Sequence, residues 1–167
     1  MPAPVPPPPP PGRLLRWFFR VPLWLYRMGL GGCERLVGMH WLRLTTIGRR
    51  TGRPRSVMVD LLDHDPATGR YYVQPGWGRA SDWVKNIEAN PIVDIQDGRR
   101  RFRARAVDVS GPEGGEHACR FMRKHPLARI AAKRMLGIEI PDSEEALRAV
   151  LARDIMVLAF EPLDDAS

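Results

Sequence analysis

The chain has 167 residues and a net charge of +7, a length that fits one domain whose core needs no disulfide or metal support. Its two cysteines, Cys33 and Cys119, stand far apart and form no C-x-x-C pair, so we expect reduced thiols in a cytoplasmic protein. Residues 1–55 hold ten arginines and one acid, a net +9, which leaves −2 for the rest. This asymmetry predicts an anionic partner: nucleic acid, anionic lipid or a multiply charged small molecule.

The first 37 residues divide into two segments. Residues 1–12 include eight prolines and are predicted to form a disordered tail. Residues 13–37 are predicted to form an amphipathic helical segment that lies on a membrane surface, because Arg13, Arg16, Arg20 and Arg27 share one side of a helical wheel. Pro22 is expected either to kink this segment or to begin a second short helix, and the arginines exclude a signal peptide or a spanning helix. The alternative is a terminal helix whose aromatic residues pack on the domain.

Residues 38–162 are predicted to form a single domain, followed by a tail at 163–167. Apolar and β-branched runs predict strands over residues 40–47, 56–62, 71–74, 92–96, 100–109 and 154–161. The segment Asp63-His64-Asp65 is interpreted as part of a hairpin loop, and no metal site is predicted. Arg101, Arg103 and Arg105 alternate with apolar residues and predict a solvated outer face; no aromatic residues interleave with them, so no nucleic-acid partner is expected.

Local signals complete the predicted architecture. Asp97-Gly98 predicts a two-residue hairpin turn. Helices are predicted over residues 112–125 and 142–152, the second with Asp142 as its cap and Glu145 closing a capping box. Six strands in mostly neighbouring order, with peripheral helices, predict a small antiparallel barrel in an α+β, mainly β fold.

Two loops carry the residue types suited to ligand binding. The arginine loop joins the first two strands and presents guanidinium groups that suit phosphate and carboxylate oxygens; its candidate residues are Gly48, Arg49, Arg50, Thr51, Arg53 and Arg55. The glycine loop follows the third strand and leads into a helix that we expect Ser81 to cap. Its candidate residues are Gly76, Trp77, Gly78, Ser81 and Trp83. Free N–H groups at such a helix start can hold an anion or a ring oxygen.

Both loops together resemble the deazaflavin-dependent nitroreductase and quinone reductase family. The similar motifs are Thr45-Thr46-x-Gly-Arg-Arg-Thr-Gly-x-Pro-Arg55, Gly76-Trp77-Gly78, Asp82-Trp83-x-x-Asn86 and Ala89-Asn90-Pro91. The resemblance implies a split β-barrel like that of FMN-binding proteins, and an enzyme that transfers a hydride from reduced coenzyme F420 to an electron-poor acceptor such as a quinone or nitro compound. FMN is a weaker candidate.

The resemblance also assigns roles by position. It implies that Arg49, Arg50 and Arg55 hold the phosphate and oligoglutamate tail, that Gly76, Trp77 and Gly78 lie along the deazaflavin ring, and that Ser81 and Trp83 lie at its far edge. No residue is assigned to covalent chemistry. Val84 and the segment 125–137 depart from the family pattern, so a non-catalytic lipid- or fatty-acid-binding protein of the same fold is the alternative. We also expect a peripheral location on the inner face of the cell membrane, and a homodimer stays open.

Overall fold

The computed structural model describes residues 40–125 and 140–163, so the predicted tail 1–12, the segment 13–37 and residues 164–167 lie outside the described residues. Six antiparallel strands form a closed barrel in the order β1-β2-β3-β6-β5-β4. The strands are β1 (Trp41–Ile47), β2 (Pro54–His64), β3 (Tyr71–Val73), β4 (Ile92–Asp97), β5 (Arg100–Asp108) and β6 (Leu158–Pro162). Three helices accompany them: α1 (Asp82–Ala89), α2 (Pro112–Lys124) and α3 (Glu144–Asp154). The predicted mainly β barrel is confirmed.

Buried and partly exposed residues alternate along the strands, and the buried side chains fill the barrel interior. In β1, Leu42, Leu44 and Thr46 are at most 1% exposed, whereas the residues between them are partly exposed. Successive side chains of a strand point to opposite faces, so the first set points inward and the second outward. Val73, Ile95 and Phe160 meet the inward set in one continuous core.

The β4–β5 hairpin differs by one residue from its prediction. Asp97 pairs with Arg100, so the two loop residues are Gly98 and Arg99 rather than Asp97 and Gly98. Gly98 has φ 56°, and Arg99 does not share the positive φ. A positive φ at only the first loop position is the pattern of a type II′ turn, for which glycine is favoured there. Gly98 therefore occupies the first position of the turn and determines its type, and Asp97 belongs to the strand.

The cap of α3 and the start of β6 are also corrected. Ser143, not Asp142, occupies the cap position, and its side chain accepts a hydrogen bond from the Ala146 N–H at 3.2 Å. The helix continues to Asp154, and strand pairing begins only at Leu158, where β3 and β5 lie on either side. An apolar run alone does not reveal where pairing starts, so the predicted strand over 154–161 began too early.

The other helices form a second core outside the barrel. α2 and α3 pack on each other and on Tyr72 and Ala159, the outward residues of β3 and β6. A Cβ on Gly115 would lie 2.8 Å from backbone and side-chain atoms of Ala152, so only glycine allows this close approach. Cys119 is buried in the same layer as a free thiol, and burial raises its pKa.

The strand directions place the two candidate loops at one end of the barrel. β1 and β3 run in the same direction because both are antiparallel to β2, so the loops that follow Ile47 and Val73 emerge at the same end. The helix α1 follows the second loop there. None of the helices in the described part of the chain has the length and hydropathy needed to span a membrane.

Candidate functional site

The arginine loop, predicted over Gly48 to Arg55, folds on its own backbone as far as Arg53, and Pro54 and Arg55 already belong to β2. Gly48 N–H donates to the Arg53 carbonyl at 2.9 Å, and Gly52 N–H donates to the Gly48 carbonyl at 2.8 Å. A Cβ on Gly48 would lie 2.9 Å from the Thr51 hydroxyl oxygen, so Gly48 permits this tight closure. Gly52 has φ 63°, a backbone conformation that favours glycine. The closed loop holds its arginine side chains around a fixed turn.

Arg49 ties this loop to the start of α1. Its guanidinium donates to the side-chain oxygen of Asp82 at 3.1 Å and to the Asp82 carbonyl at 3.3 Å. A third bond runs from the same guanidinium to the side-chain oxygen of Asn86 at 3.0 Å. The side chain of Arg49 is 26% exposed, compared with 84% for Asp82. Arg49 is therefore engaged by the protein itself, in contrast to its neighbours in the loop.

Asn86 joins the two loops through a buried hydrogen-bond network that the sequence did not reveal. Its side-chain oxygen accepts from the Arg49 backbone N–H at 3.1 Å, and its amide donates to the Thr46 hydroxyl at 3.1 Å. Asn86 is 5% exposed and Thr46 is fully buried. The signal was present in the motif Asp82-Trp83-x-x-Asn86, but the partners lie 37 and 40 positions away along the chain. Asn86 thus ties α1, the helix that follows the glycine loop, to β1 and to the arginine loop.

The glycine loop, Pro75 to Ser81, contains a 3₁₀ turn over Gly78–Ala80. Arg79 binds Glu88 of α1 and Asp108 at the end of β5, which fixes this turn on the barrel rim. Burial acts to raise the pKa of Asp108, but hydrogen bonds from Ser110 and the charge of Arg79 outweigh it, so the pKa lies below its usual value. Arg79 was not among the predicted site residues.

Ser81 occupies the cap position of α1 but does not cap the helix. Its side chain makes no cap hydrogen bond, which corrects the predicted role. The residue is 9% exposed, and its hydroxyl oxygen has no hydrogen-bond partner in the part of the chain that the structure describes. A buried hydroxyl without a partner has lost its hydrogen bonds to water and gained none from the protein. Such groups are unusual in native structures. The arrangement fits a hydroxyl kept for a bound group.

Other features of the glycine loop also fit a flat ligand. A Cβ placed on Gly76 or Gly78 would meet nothing within 4 Å, so space is open beside both. Trp83 is half-buried and packs against the barrel core. Val84 is fully buried in that core, so the residue that departs from the family pattern points into the barrel. The other departing segment, 125–137, lies outside the described residues beyond His125.

Arg50, Arg53 and Arg55 supply the free cations of the site. All three are exposed, and none forms an ion pair with an acid among residues 40–125 and 140–163. The described residues contain no cluster of three or more His, Cys, Asp or Glu side chains placed to hold a metal ion. Asp63 contacts His117 at 2.9 Å and Arg120 at 2.8 Å. Asp63 and His64 belong to β2 and pair with Tyr72 and Tyr71, so the predicted hairpin loop is corrected and begins only at Asp65. The site thus combines cations with a partnerless hydroxyl.

A protein-family model described as F420H(2)-dependent quinone reductase matches residues 17–135. The chain belongs to this family. It is therefore an oxidoreductase of the F420H2-dependent quinone reductase type, as the motifs in the two loops predicted.

Solved structures agree on the fold. The structure of an F420-H2 dependent reductase, FDR-A, is 23% identical over 72% of this chain and 93% of that chain, with a TM-score of 0.50. A protein of unknown function from Agrobacterium tumefaciens is 12% identical over 93% of this chain and 58% of that chain, with a TM-score of 0.51. A pyridoxamine 5'-phosphate oxidase-related, FMN binding protein from Nostoc punctiforme is 16% identical over 83% and 78%, with a TM-score of 0.49. The closed six-stranded barrel and its likeness to the FDR-A structure confirm the predicted split β-barrel.

Proposed function

We propose that this protein binds reduced coenzyme F420 at the end of the barrel that carries the two loops and reduces a quinone. The observation that carries the proposal is the buried Ser81 hydroxyl, which has no partner among the described residues. Ser81 immediately precedes α1, and Asn86 of α1 binds Arg49 of the loop that carries the exposed arginines. A cationic group and a free donor held at a fixed separation suit one ligand with an anionic tail and a polar ring.

The arginine loop supports F420 over FMN. Arg50, Arg53 and Arg55 are three exposed guanidiniums, whereas FMN carries one phosphate and F420 carries a phosphate and several carboxylates. A single exposed ion pair contributes only about 0–1 kcal/mol. This loop therefore adds substantial binding free energy only for a ligand whose negative charges pair with several of its arginines. Gly48, Arg49 and Thr51 would act indirectly, since they shape the loop and anchor it to α1.

The glycine loop would hold the ring. Gly76 and Gly78 leave room for a flat group, Trp77 stands between them, and Trp83 follows in the first turn of α1. The Ser81 hydroxyl would donate to a ring oxygen, and the backbone N–H groups at the start of α1 would favour negative charge there. When bound, reduced F420 supplies a hydride.

The protein then contributes position and electrostatics rather than covalent chemistry. Donors fixed before the reaction stabilise charge that develops on the ring or on the reduced acceptor, because they need no reorganisation. The rigid loop connection through Asn86 limits the movement of ring and tail relative to each other, which preserves the geometry for transfer. A quinone is the acceptor we propose first, and a nitro compound is a second electron-poor acceptor for the same geometry.

Titration of the protein with F420, followed by tryptophan fluorescence, tests this proposal. We expect saturable quenching in the wild type and affinity weakened about tenfold or more in R50A/R55A, because two charge-assisted contacts are lost. The weakening should shrink at high salt. R123A/K124A, which removes two exposed cations from α2, is the matched control and should bind normally. Equal affinity for F420 in wild type and R50A/R55A, or quenching by FMN alone, would reject the assignment.

A further inference from the structure

The arginines of the described residues are segregated by whether they have an acidic partner. Seven form ion pairs with acids: Arg49, Arg70, Arg79, Arg120, Arg123, Arg148 and Arg153. Nine form none with any acid in residues 40–125 and 140–163: Arg43, Arg50, Arg53, Arg55, Arg99, Arg100, Arg101, Arg103 and Arg105. All nine belong to the β1–β2 or the β4–β5 hairpin. These hairpins are neighbours, because β1 pairs with β4.

Part of this charge lies on one outer face of the barrel. Arg43 points outward because its neighbours Leu42 and Leu44 point into the core. Arg101, Arg103 and Arg105 alternate with the inward residues Ala104 and Ala106 and are all exposed. We name this surface the cationic face; it is formed by the outward residues of β1, β4 and β5. The helices α2 and α3 pack elsewhere, on the outward residues of β3 and β6.

A recess of about 400 Å³ lies in the cationic face. Its polar lining residues are Arg43, Thr45, Asp94, Gln96, Arg101 and Arg103. The recess therefore holds three guanidinium groups and one carboxylate. Asp94 and Arg103 are paired neighbours on β4 and β5, yet they form no ion pair, so the carboxylate does not neutralise Arg103. The Arg43 side chain also has a buried Nε atom without a hydrogen-bond partner among the described residues. The recess shares no lining residue with the two loops of the proposed F420 site.

We propose that the cationic face docks on an anionic phospholipid membrane, with a headgroup phosphate in the recess. Uncompensated guanidiniums that share one surface suit phosphate groups spread over another surface. Trp41 and Ile92 point outward from the same strands and are half-buried, which places apolar groups beside the cations, as is common at membrane interfaces. Nucleic acid fits less well, since no aromatic residue stands among the outward arginines along the middle of β5, and the outward Trp41 of β1 is half-buried rather than free to stack on bases.

This docking does not depend on the proposed reaction, because vesicle binding needs neither F420 nor a quinone. If both proposals hold, docking brings the proposed F420 site to the membrane in which lipid-soluble quinones dissolve. The two proposals fail separately: loss of vesicle binding leaves the F420 titration unaffected, and the reverse is also true.

Co-sedimentation of the full chain with vesicles tests the docking surface. We expect binding to mixed phosphatidylcholine and phosphatidylglycerol vesicles, weak binding to phosphatidylcholine alone, and a decline in binding as salt rises. R101Q/R103Q should weaken binding roughly 25-fold, since each arginine near an anionic surface contributes about a fivefold factor. R101K/R103K should retain most of the binding because it keeps the charge. R123Q/K124Q is the matched control, with the same charge change on α2, and should bind as the wild type does.

Three results would overturn the proposal. The first is unchanged vesicle binding in R101Q/R103Q, which would place membrane contact outside the cationic face. The second is equal weakening of vesicle binding in R101Q/R103Q and R123Q/K124Q, which would show that binding depends on the net charge of the protein and not on the cationic face. The third is release of the protein from vesicles by a short DNA duplex that R101Q/R103Q no longer binds, which would assign the face to nucleic acid. Thermal unfolding of each variant checks that its fold is intact.

Discussion

Asn86 shows how one buried side chain determines the geometry of the proposed site. It accepts two hydrogen bonds from Arg49 and donates one to Thr46, and it is almost fully buried. Buried polar groups contribute little when they are satisfied, but losing one partner leaves the others desolvated and unpaired. The attachment of the arginine loop and β1 to α1 therefore depends strongly on this amide, with Asp82 as the second anchor of Arg49.

Replacing Asn86 tests that dependence. Asn86→Ala should lower the free energy of unfolding by about 2–4 kcal/mol, because it leaves the Arg49 N–H unpaired and the buried Thr46 hydroxyl with only its 3.5 Å hydrogen bond to the Arg55 carbonyl. Thermal unfolding would show this as a midpoint lower by roughly 5–15 °C. Asn86→Asp keeps an acceptor for Arg49 and should fall between the wild type and Asn86→Ala. If the midpoint of Asn86→Ala equals that of the wild type, the hydrogen bonds of Asn86 to Arg49 and Thr46 do not stabilise the fold.

Ser81 gives the opposite expectation for stability. Its hydroxyl has no partner among the described residues, so Ser81→Ala removes a buried polar group that the folded protein does not use. The thermal midpoint should stay the same or rise, while F420 binding should weaken about 5- to 10-fold through the loss of one hydrogen bond. Calorimetry and fluorescence titration measure the two effects. A lower midpoint with normal F420 affinity would show that the hydroxyl serves the fold instead.

Among the elements, the end of β2 is fastened to α2 by a charged network. Asp63 contacts His117 and Arg120, and the His117 ring stacks on Tyr72 with their centroids 3.5 Å apart. Burial acts to raise the pKa of Asp63, but the His117 hydrogen bond and the Arg120 charge outweigh it, so the pKa lies below its usual value of about 3.8. The ionised carboxylate therefore stabilises the folded state.

The sign of that shift sets the pH dependence. A carboxyl whose pKa is lower in the folded state stabilises the protein above its unfolded pKa, and the contribution is lost as pH falls through the folded pKa. Asp63→Asn should therefore be less stable than the wild type at neutral pH, by about 1–2 kcal/mol. The two unfolding curves should converge as pH drops below about 4. A difference that stays constant down to acidic pH would mean that the loss is not electrostatic.

Elements were predictable from local signals, whereas their contacts were not. Apolar and β-branched runs identified all six strands, although the last was predicted to begin too early, and glycine and arginine residues marked the two loops. The errors fell where local signals overlap: Asp142 and Ser143 are both good caps, and the packing of Leu147 and Leu151 decides between them. Asp63 and His117 are 54 positions apart in the sequence, and local sequence patterns do not predict contacts over that separation. Loop identity was therefore available from the sequence, and the connection between loops was not.

At the scale of the whole molecule, β6 closes the barrel between β3 and β5. It contributes the fully buried Phe160 to the core and satisfies the backbone of both neighbours. Without it the sheet would have two exposed edges and an open interior, which favours aggregation. The last strand is therefore needed for the complete fold.

Truncation tests this role of β6. A chain that ends before Leu158 should express as insoluble or unfolded protein, because it loses the strand and its core side chains. A chain that ends after Leu163 removes none of the described barrel contacts and should fold normally. Solubility and circular dichroism distinguish the two. A soluble, cooperatively folding chain without β6 would contradict the need for closure.

Cys119 has a consequence for the chemistry proposed here. Quinones are electrophiles that add to thiolates, so an enzyme that reduces them is exposed to alkylation by its own substrate. This thiol is 1% exposed between α2 and α3, and burial raises its pKa, so little of the nucleophilic form is present at neutral pH. The helical layer thus shields this thiol from the quinones that the proposed site would reduce.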